Sequence, residues 1–216
     1  MTQKTCTADA SQIRKGRKFE QVLEGARTIF MRDGFEGASV DDIAREAKVS
    51  KATLYSYVPD KRLLFLQVAT GECARQADEA MAEISKSTAP PEQVLRYAAE
   101  QITGYLSSSF GLDMFRICVA EAARFPSLGH DFYNSGPAMA RDRLAEYLRQ
   151  ATARGEFRIE DFEFAAEQFC ELCKAGLHVR LLCGMPPCCS HTQIERTITG
   201  AVDMFMARYG AKALSD

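Results

Sequence analysis

The sequence predicts an all-α chain, with an N-terminal three-helix helix-turn-helix unit followed by a larger helical domain. Three observations predict it. Apolar residues recur at three- and four-residue spacing along most of the chain, strand signals are nearly absent, and two short helices near the N-terminus are each preceded by a capping serine. The 216 residues suffice for a small domain plus a larger one, and 46% are hydrophobic, ordinary for a globular protein. The expected division is a flexible basic arm over 1–15, a helix-turn-helix domain over 16–62 and the larger helical domain over 63–216.

The first helix is marked by Phe19, Val22, Leu23, Ala26, Ile29 and Phe30, one face of an amphipathic helix. Gly34 is expected to end it, because glycine accepts the left-handed C-cap conformation. Phe35 to Ala38 reads as a short connection. Ser39 is the next N-cap candidate, with Asp42 three residues on at the positive helix end. That helix carries Val40, Ile43, Ala44 and Ala47 and stops near Lys48. Ser50 caps a second short helix from Lys51 to about Tyr57, which Pro59 ends. Asp60 caps a long helix from Lys61 towards Ile84.

Pro91 is well placed to open a helix reaching about Ser107. Another is expected over Phe110 to Phe125. Gly129, Gly136 and Pro137 break the next stretch, which predicts a kink or two short pieces. Ala138 to about Arg154 is helical, and Gly155 ends it. Two regular stripes close the chain, one from Phe162 to Cys173 and one from Ile194 to Tyr209, with Gly184 and Pro186-Pro187 between them.

Net charge is −2, but its distribution is uneven. Through Arg62 the chain has 12 Lys and Arg against 9 Asp and Glu, and four of the five residues from Arg14 to Lys18 are basic. A basic arm on an acidic body fits a localised phosphate-contacting surface. No apolar signal core or membrane span is visible, which makes the cytoplasm the expected location.

Two short helices joined by a tight turn bury little surface alone and need the first helix as a third leg. The tripod presents its last helix outward. Small side chains there allow approach to a groove floor. Thr53 can bond a base edge or touch a thymine methyl, Ala52 makes apolar contacts, and Lys51 reaches a phosphate or a guanine. Ser39, Tyr55, Tyr57 and Lys61 are placed for phosphates, aided by free amides at helix starts. Ser50 and Ser56 complete the candidate DNA-contacting set, while Leu54 and Val49 face inward.

The string FEGASVDDIAREAKVSKATLYSYVPDKRLLF, Phe35 to Phe65, closely resembles the DNA-binding segment of TetR-type (TetR/AcrR) transcriptional regulators. The matching positions are Phe35, Ser39, Val40, Ile43, Ala44, Ala47, Val49, Ser50, Thr53, Leu54, Tyr55, Pro59, Lys61 and Leu64. Three departures stand out: Tyr57 where the family often has histidine, Val58 where phenylalanine is common, and Asp60 where serine is frequent. The stretch from about Phe115 to Gly184 is similar, more loosely, to AefR-like C-terminal domains, through AEAARFPSLGHDFYNSGP (Ala120 to Pro137), Ala165 to Phe169, and Gly176-Leu177. The resemblance implies an all-helical homodimer on a (pseudo)palindromic double-stranded DNA operator, with a DNA-binding domain over 16–62, a ligand-binding and dimerisation domain over 63–216, and repression relieved by a small molecule.

It further implies that the last two long helices bundle with those of a second copy; Phe169, Cys173, Ile194, Ile198, Val202, Phe205 and Met206 are the candidate dimer interface. Tyr105, Phe110, Met114, Phe115, Cys118, Phe132, Tyr133 and His178 are the candidate walls of an adaptable apolar pocket for a small hydrophobic effector. The bland alternative for each is plain core.

Eight cysteines are irregularly spaced: Cys6, Cys73, Cys118, Cys170, Cys173, Cys183, Cys188 and Cys189. The Cys170–Cys173 CxxC lies inside an expected helix, where buried cysteine behaves as a small hydrophobe. No catalytic constellation, metal site or cofactor motif is evident; His130, His178 and His191 are scattered, and Glu121, Asp161 and Glu163 read as solvated helix faces. Two alternatives stay open: a thiol- or metal-responsive regulator on the same scaffold, and a helical binding protein without DNA activity.

Overall fold

The structure is a computed structural model and describes residues 17–185 and 190–211. The basic arm expected over 1–15, Cys6, Pro186-Pro187 and the Cys188–Cys189 pair lie outside the described residues. Among the described residues the regular structure is helical: α1 Arg17–Gly37, α2 Val40–Glu46, α3 Lys51–Tyr57, α4 Lys61–Lys86, α5 Pro91–Ser107, α6 Ser109–Glu121, α7 Pro126–Ser135, α8 Pro137–Ala153, α9 Phe162–Leu172, α10 His178–Leu182 and α11 His191–Tyr209. No helix among these residues is long and apolar enough to cross a membrane.

The expected starts hold because the side-chain chemistry is local. Ser39, Ser50 and Asp161 each accept from a backbone amide three residues on, as N-caps of α2, α3 and α9. Three details differ. Gly34 takes φ 70° as expected of a stop, yet helix resumes for one turn to Gly37, so Phe35 to Gly37 is not a loop. Pro126 to Ser135 forms one helix rather than two pieces, since Pro126 sits in its first turn, where a missing amide costs nothing. The separate helix α10, which apolar periodicity did not announce, is only five residues long.

The chain forms two compact units. The first is the segment through Ala74 together with Ser109–Gly136; the second is Arg75–Ser108 together with the segment from Pro137. The boundary therefore falls inside α4, and α6 and α7 belong with the N-terminal helices.

In the first unit α1 packs on α2 and on α6. Phe30, Leu54, Leu64 and Phe65 are at most 1% exposed. Aromatic rings cluster around Phe65, which meets Phe30 at 5.0 Å and Phe35 at 5.2 Å edge-on and Phe110 at 5.1 Å in a tilted pair. The ring of Phe65 thus ties α1, α4 and α6 together.

In the second unit α8 packs on α9, and α11 packs on α5 and α9. Phe205 of α11 lies 5.2 Å from Phe169 of α9 in a T-shaped pair. The C-terminal end of α11 is pinned to the α8–α9 connection, with Arg158 N donating to Tyr209 O at 2.8 Å and Ala211 N donating to Glu156 O at 3.0 Å.

Candidate nucleic-acid interface

Helix α3 is held from beneath and open above. Leu54, 1% exposed, and Val58, 0% exposed, anchor it to the first unit. The ring of Tyr57 lies 6.0 Å from Phe19 of α1, so Tyr57 is a half-buried brace rather than a free phosphate ligand. Lys51, Ala52, Tyr55 and Ser56 occupy the exposed face, as does the cap residue Ser50. Thr53 is half-buried. Its hydroxyl is 2.7 Å from that of Ser50, and the Ser50 hydroxyl accepts from Thr53 N at 3.0 Å. With its hydroxyl engaged there, Thr53 offers its methyl more freely than a hydrogen bond. The Ser56 hydroxyl donates to Thr53 O at 2.7 Å.

The turn before α3 passes through Lys48, which takes a left-handed φ of 53°. A lysine in this region carries a steric cost that glycine would not. Val49 N closes the turn on Ala44 O at 3.0 Å.

Basic groups near this surface are engaged within the chain. Lys51 Nζ lies 2.9 Å from Asp41 Oδ1 of α2, and this hydrogen-bonded carboxylate raises the lysine's pKa. Both partners are exposed, so the pair exchanges readily with another anion. Lys61 differs from expectation. Its ammonium donates to Ala38 O at 2.8 Å and sits 4.4 Å over the Phe35 ring. It is a half-buried clasp between the start of α4 and the entry to α2. Ser39 likewise spends its hydroxyl locally, donating to Asp42 Oδ2 at 2.6 Å and accepting from Asp42 N at 3.0 Å. Of the candidate DNA-contacting residues, Ser39, Ser50, Lys51, Ala52, Tyr55 and Ser56 are exposed, while Thr53, Tyr57 and Lys61 are half-buried.

The eight candidate pocket residues are divided between the units. Phe110, Met114 and Cys118 are buried in the first. Met114 Sδ accepts from Cys73 Sγ at 3.8 Å, and burial together with Cys73 pushes the Cys118 thiol up to about 12. Phe115 meets Phe132 edge-on at 6.2 Å, while Tyr133 is exposed. Tyr105 and His178 belong to the second unit, where burial lowers the His178 pKa. An open groove of about 390 Å³ in the second unit is lined by none of the eight; Gln76, Glu79, Tyr97 and Gln101 are among its walls.

The candidate dimer residues are mostly buried within one chain. Phe169, Cys173, Ile198, Val202 and Phe205 are each at most 4% exposed within one chain, which leaves them no side-chain surface to offer a partner. The regular stripe read from the sequence is the face turned into the chain's own core. Ile194 and Met206 are half-buried. The exposed large apolar side chains of the same unit are Phe164 on α9, Val179 on α10, Met185 just after α10 and Met204 on α11.

Burial damps the chemistry of Cys118, Cys170 and Cys173, whereas Cys183 is exposed. Cys170 is pushed up to about 11 and Cys173 upward as well, both chiefly through desolvation. High thiol pKa values mean little thiolate and low reactivity. Among the described residues no group of three or more His, Cys, Asp and Glu could hold a metal ion. Glu121, expected on a solvated face, is 8% exposed. It pairs with Arg62, and a separation of 59 residues leaves no local sequence signal for such a pair.

Two family models match. Residues 22–68 fit the model described as bacterial regulatory proteins, tetR family, and residues 93–211 fit the AefR-like transcriptional repressor C-terminal domain. Among curated proteins, the HTH-type transcriptional repressor AcnR of Corynebacterium diphtheriae is 38% identical over 59 residues, covering 27% of this chain and only 31% of that protein. Among solved structures, a TetR-family transcriptional regulator from Mesorhizobium loti MAFF303099 is 25% identical, with TM-score 0.75, covering 90% of this chain and 97% of that one. The flavonoid-responsive regulator FrrA is 31% identical, with TM-score 0.61, covering 92% of this chain and 100% of that one. With both halves of the chain matched and α3 displayed on the surface, this protein belongs to the TetR family of transcriptional regulators.

Proposed function

We propose that this chain is a ligand-responsive repressor that binds a (pseudo)palindromic operator as a homodimer and is released by a small hydrophobic effector. The observation that carries the reading is the exposed face of α3. Lys51, Ala52, Tyr55 and Ser56 stand clear of the chain while Leu54 anchors the opposite side. Small residues there admit the helix to a major groove, and dimeric readers of this type place two such helices about one DNA turn apart. Repression is supported by the likeness of the N-terminal segment to AcnR repressors.

A second copy is proposed to cover Phe164 of α9 and Met204 of α11, large apolar side chains that are 54% and 61% exposed on helices that pack together. An effector with aromatic character is supported by the likeness to FrrA, which is flavonoid-responsive. The cytoplasm is the compartment where such a regulator acts. The thiol-responsive alternative has less support, because burial pushes the Cys118, Cys170 and Cys173 thiols upward.

The test is selection of duplexes from a random library, followed by mobility shifts of the selected sequence with and without a flavonoid. Two half-sites separated by about one helical turn, with affinity falling steeply as salt rises, are expected. Equal affinity for every duplex would refute DNA reading, and binding by a persistent monomer would refute the dimer.

A further inference from the structure

The first turn of α4 carries three consecutive charged residues, and each is committed to a different neighbour. Asp60 caps the helix, its Oδ1 accepting from Arg62 N at 2.8 Å. Lys61 clasps Ala38 O at 2.8 Å, at the entry to α2. The Arg62 guanidinium turns the other way, bonding Glu121 Oε1 in the last turn of α6 while its Nη2 stays 3.1 Å from Asp60 Oδ2. Only Val58 and Pro59 separate this turn from the end of α3, and Val58 is 0% exposed, with its amide bonded to Leu54 O at 3.0 Å. Whatever fixes the start of α4 therefore fixes the C-terminal end of α3.

Glu121 is placed at physical cost. Its side chain is 10% exposed. It sits in the final turn of α6, where unsatisfied carbonyls already make the helix end negative. Its Oε2 is buried without a hydrogen bond, and the Arg124 guanidinium stands 3.7 Å away. Asp60 brings a second carboxylate to the same arginine. Burial alone would raise the Asp60 pKa, but the Arg62 side chain and amide hold it below the usual carboxylate range. Arg62 is 41% exposed and is also held by Asp60, so an apolar residue at position 121 would spare the desolvation of one carboxylate without leaving a buried charge unpaired, and the pair is poorly explained as a source of stability. What a pair of fixed charges supplies, and an apolar contact does not, is a defined register between two helices.

We infer that Glu121 is a positioning residue for DNA binding: through Arg62 it sets the register of α4 against α6 and so the seat of the recognition helix α3. It touches no DNA itself. Any sliding of α6 along the start of α4 must first part Arg62 from Glu121. This inference rests on the DNA-binding reading given above.

The experiment uses the full chain and a duplex selected by the wild-type protein, with affinity read by fluorescence anisotropy. Glu121→Gln and Arg62→Gln should each weaken binding to the selected duplex by about tenfold. The double variant should be no weaker than the weaker single, the non-additivity of two residues in one interaction. Binding to random-sequence duplex and its salt dependence should stay unchanged, since no phosphate contact is lost. Glu121→Met keeps the volume and removes the charge; because Arg62 is 41% exposed and keeps Asp60 as a partner, it should fold about as stably as the wild type and still bind the selected duplex about tenfold more weakly. A purely structural role would instead lower the melting temperature and leave the affinity of the folded protein unchanged. Wild-type affinity in Glu121→Met, or full additivity in the double variant, overturns the inference while DNA reading stands. A wild-type chain that selects no sequence overturns both.

Discussion

Gly25 of α1 and Ala47 at the end of α2 approach so closely that a Cβ on Gly25 would stand 2.7 Å from the backbone nitrogen of Ala47 and 2.8 Å from its Cα. The atoms in the way are main chain, which cannot swing aside. Gly25→Ala should therefore destabilise the first unit by about 1–3 kcal/mol, the usual range for overpacking, despite a gain in helix propensity. Chemical denaturation checks it; an unchanged or raised midpoint would mean that α1 and α2 can part at little cost.

Lys48 offers the opposite experiment. Its φ of 53° costs a non-glycine residue about 1–2 kcal/mol. Lys48→Gly should recover part of this and raise stability by about 1 kcal/mol, whereas Lys48→Val should lower it. Thermal melts of the three proteins suffice, and a Gly variant less stable than the wild type would show that the lysine side chain contributes something its exposure does not suggest.

On α3, substitutions should separate by face. Tyr55→Ala and Lys51→Ala should weaken binding across many DNA sequences with little change in melting temperature, because both side chains are exposed. Thr53→Ala should relax preference at particular bases and also cost some stability, since its hydroxyl meets the Ser50 cap. Leu54→Ala should unfold the unit rather than alter specificity, losing about 2–5 kcal/mol. Binding isotherms paired with melts distinguish these outcomes.

Association should follow exposure rather than the apolar stripe. Met204→Glu and Phe164→Arg are expected to convert the dimer to monomer with the fold intact. Phe205→Ala removes a ring packed between Phe169 and Tyr209 and should cost about 3–5 kcal/mol of folding stability. Sedimentation velocity and melts decide; a Met204→Glu variant that stays dimeric would move the interface elsewhere.

His178 predicts a pH dependence. Burial lowers its folded pKa below the ordinary value of 6.5, so the unfolded chain binds the proton more readily. Its contribution is present above about pH 6.5 and is lost as pH falls through the lower folded value. Denaturation midpoints should drop between pH 7.5 and pH 5, and His178→Gln should flatten that drop. An equally steep loss in the variant would assign the dependence to other groups.

What the sequence determined by itself was local. Ser39, Ser50 and Asp60 cap the helices they precede, because a capping bond spans only two or three residues. The outward placement of Ala52 and Tyr55 against inward Leu54 follows from helical period alone. Tertiary structure decided everything that depends on which surfaces meet. It engaged Lys61 with Ala38 O and the Phe35 ring, enclosed Phe205 in its own chain, grouped α6 and α7 with the N-terminal helices, and brought Glu121 to Arg62. Periodicity tells which face is apolar but not what covers it, and a charge pair between distant helices depends on a packing that no single stretch of sequence encodes.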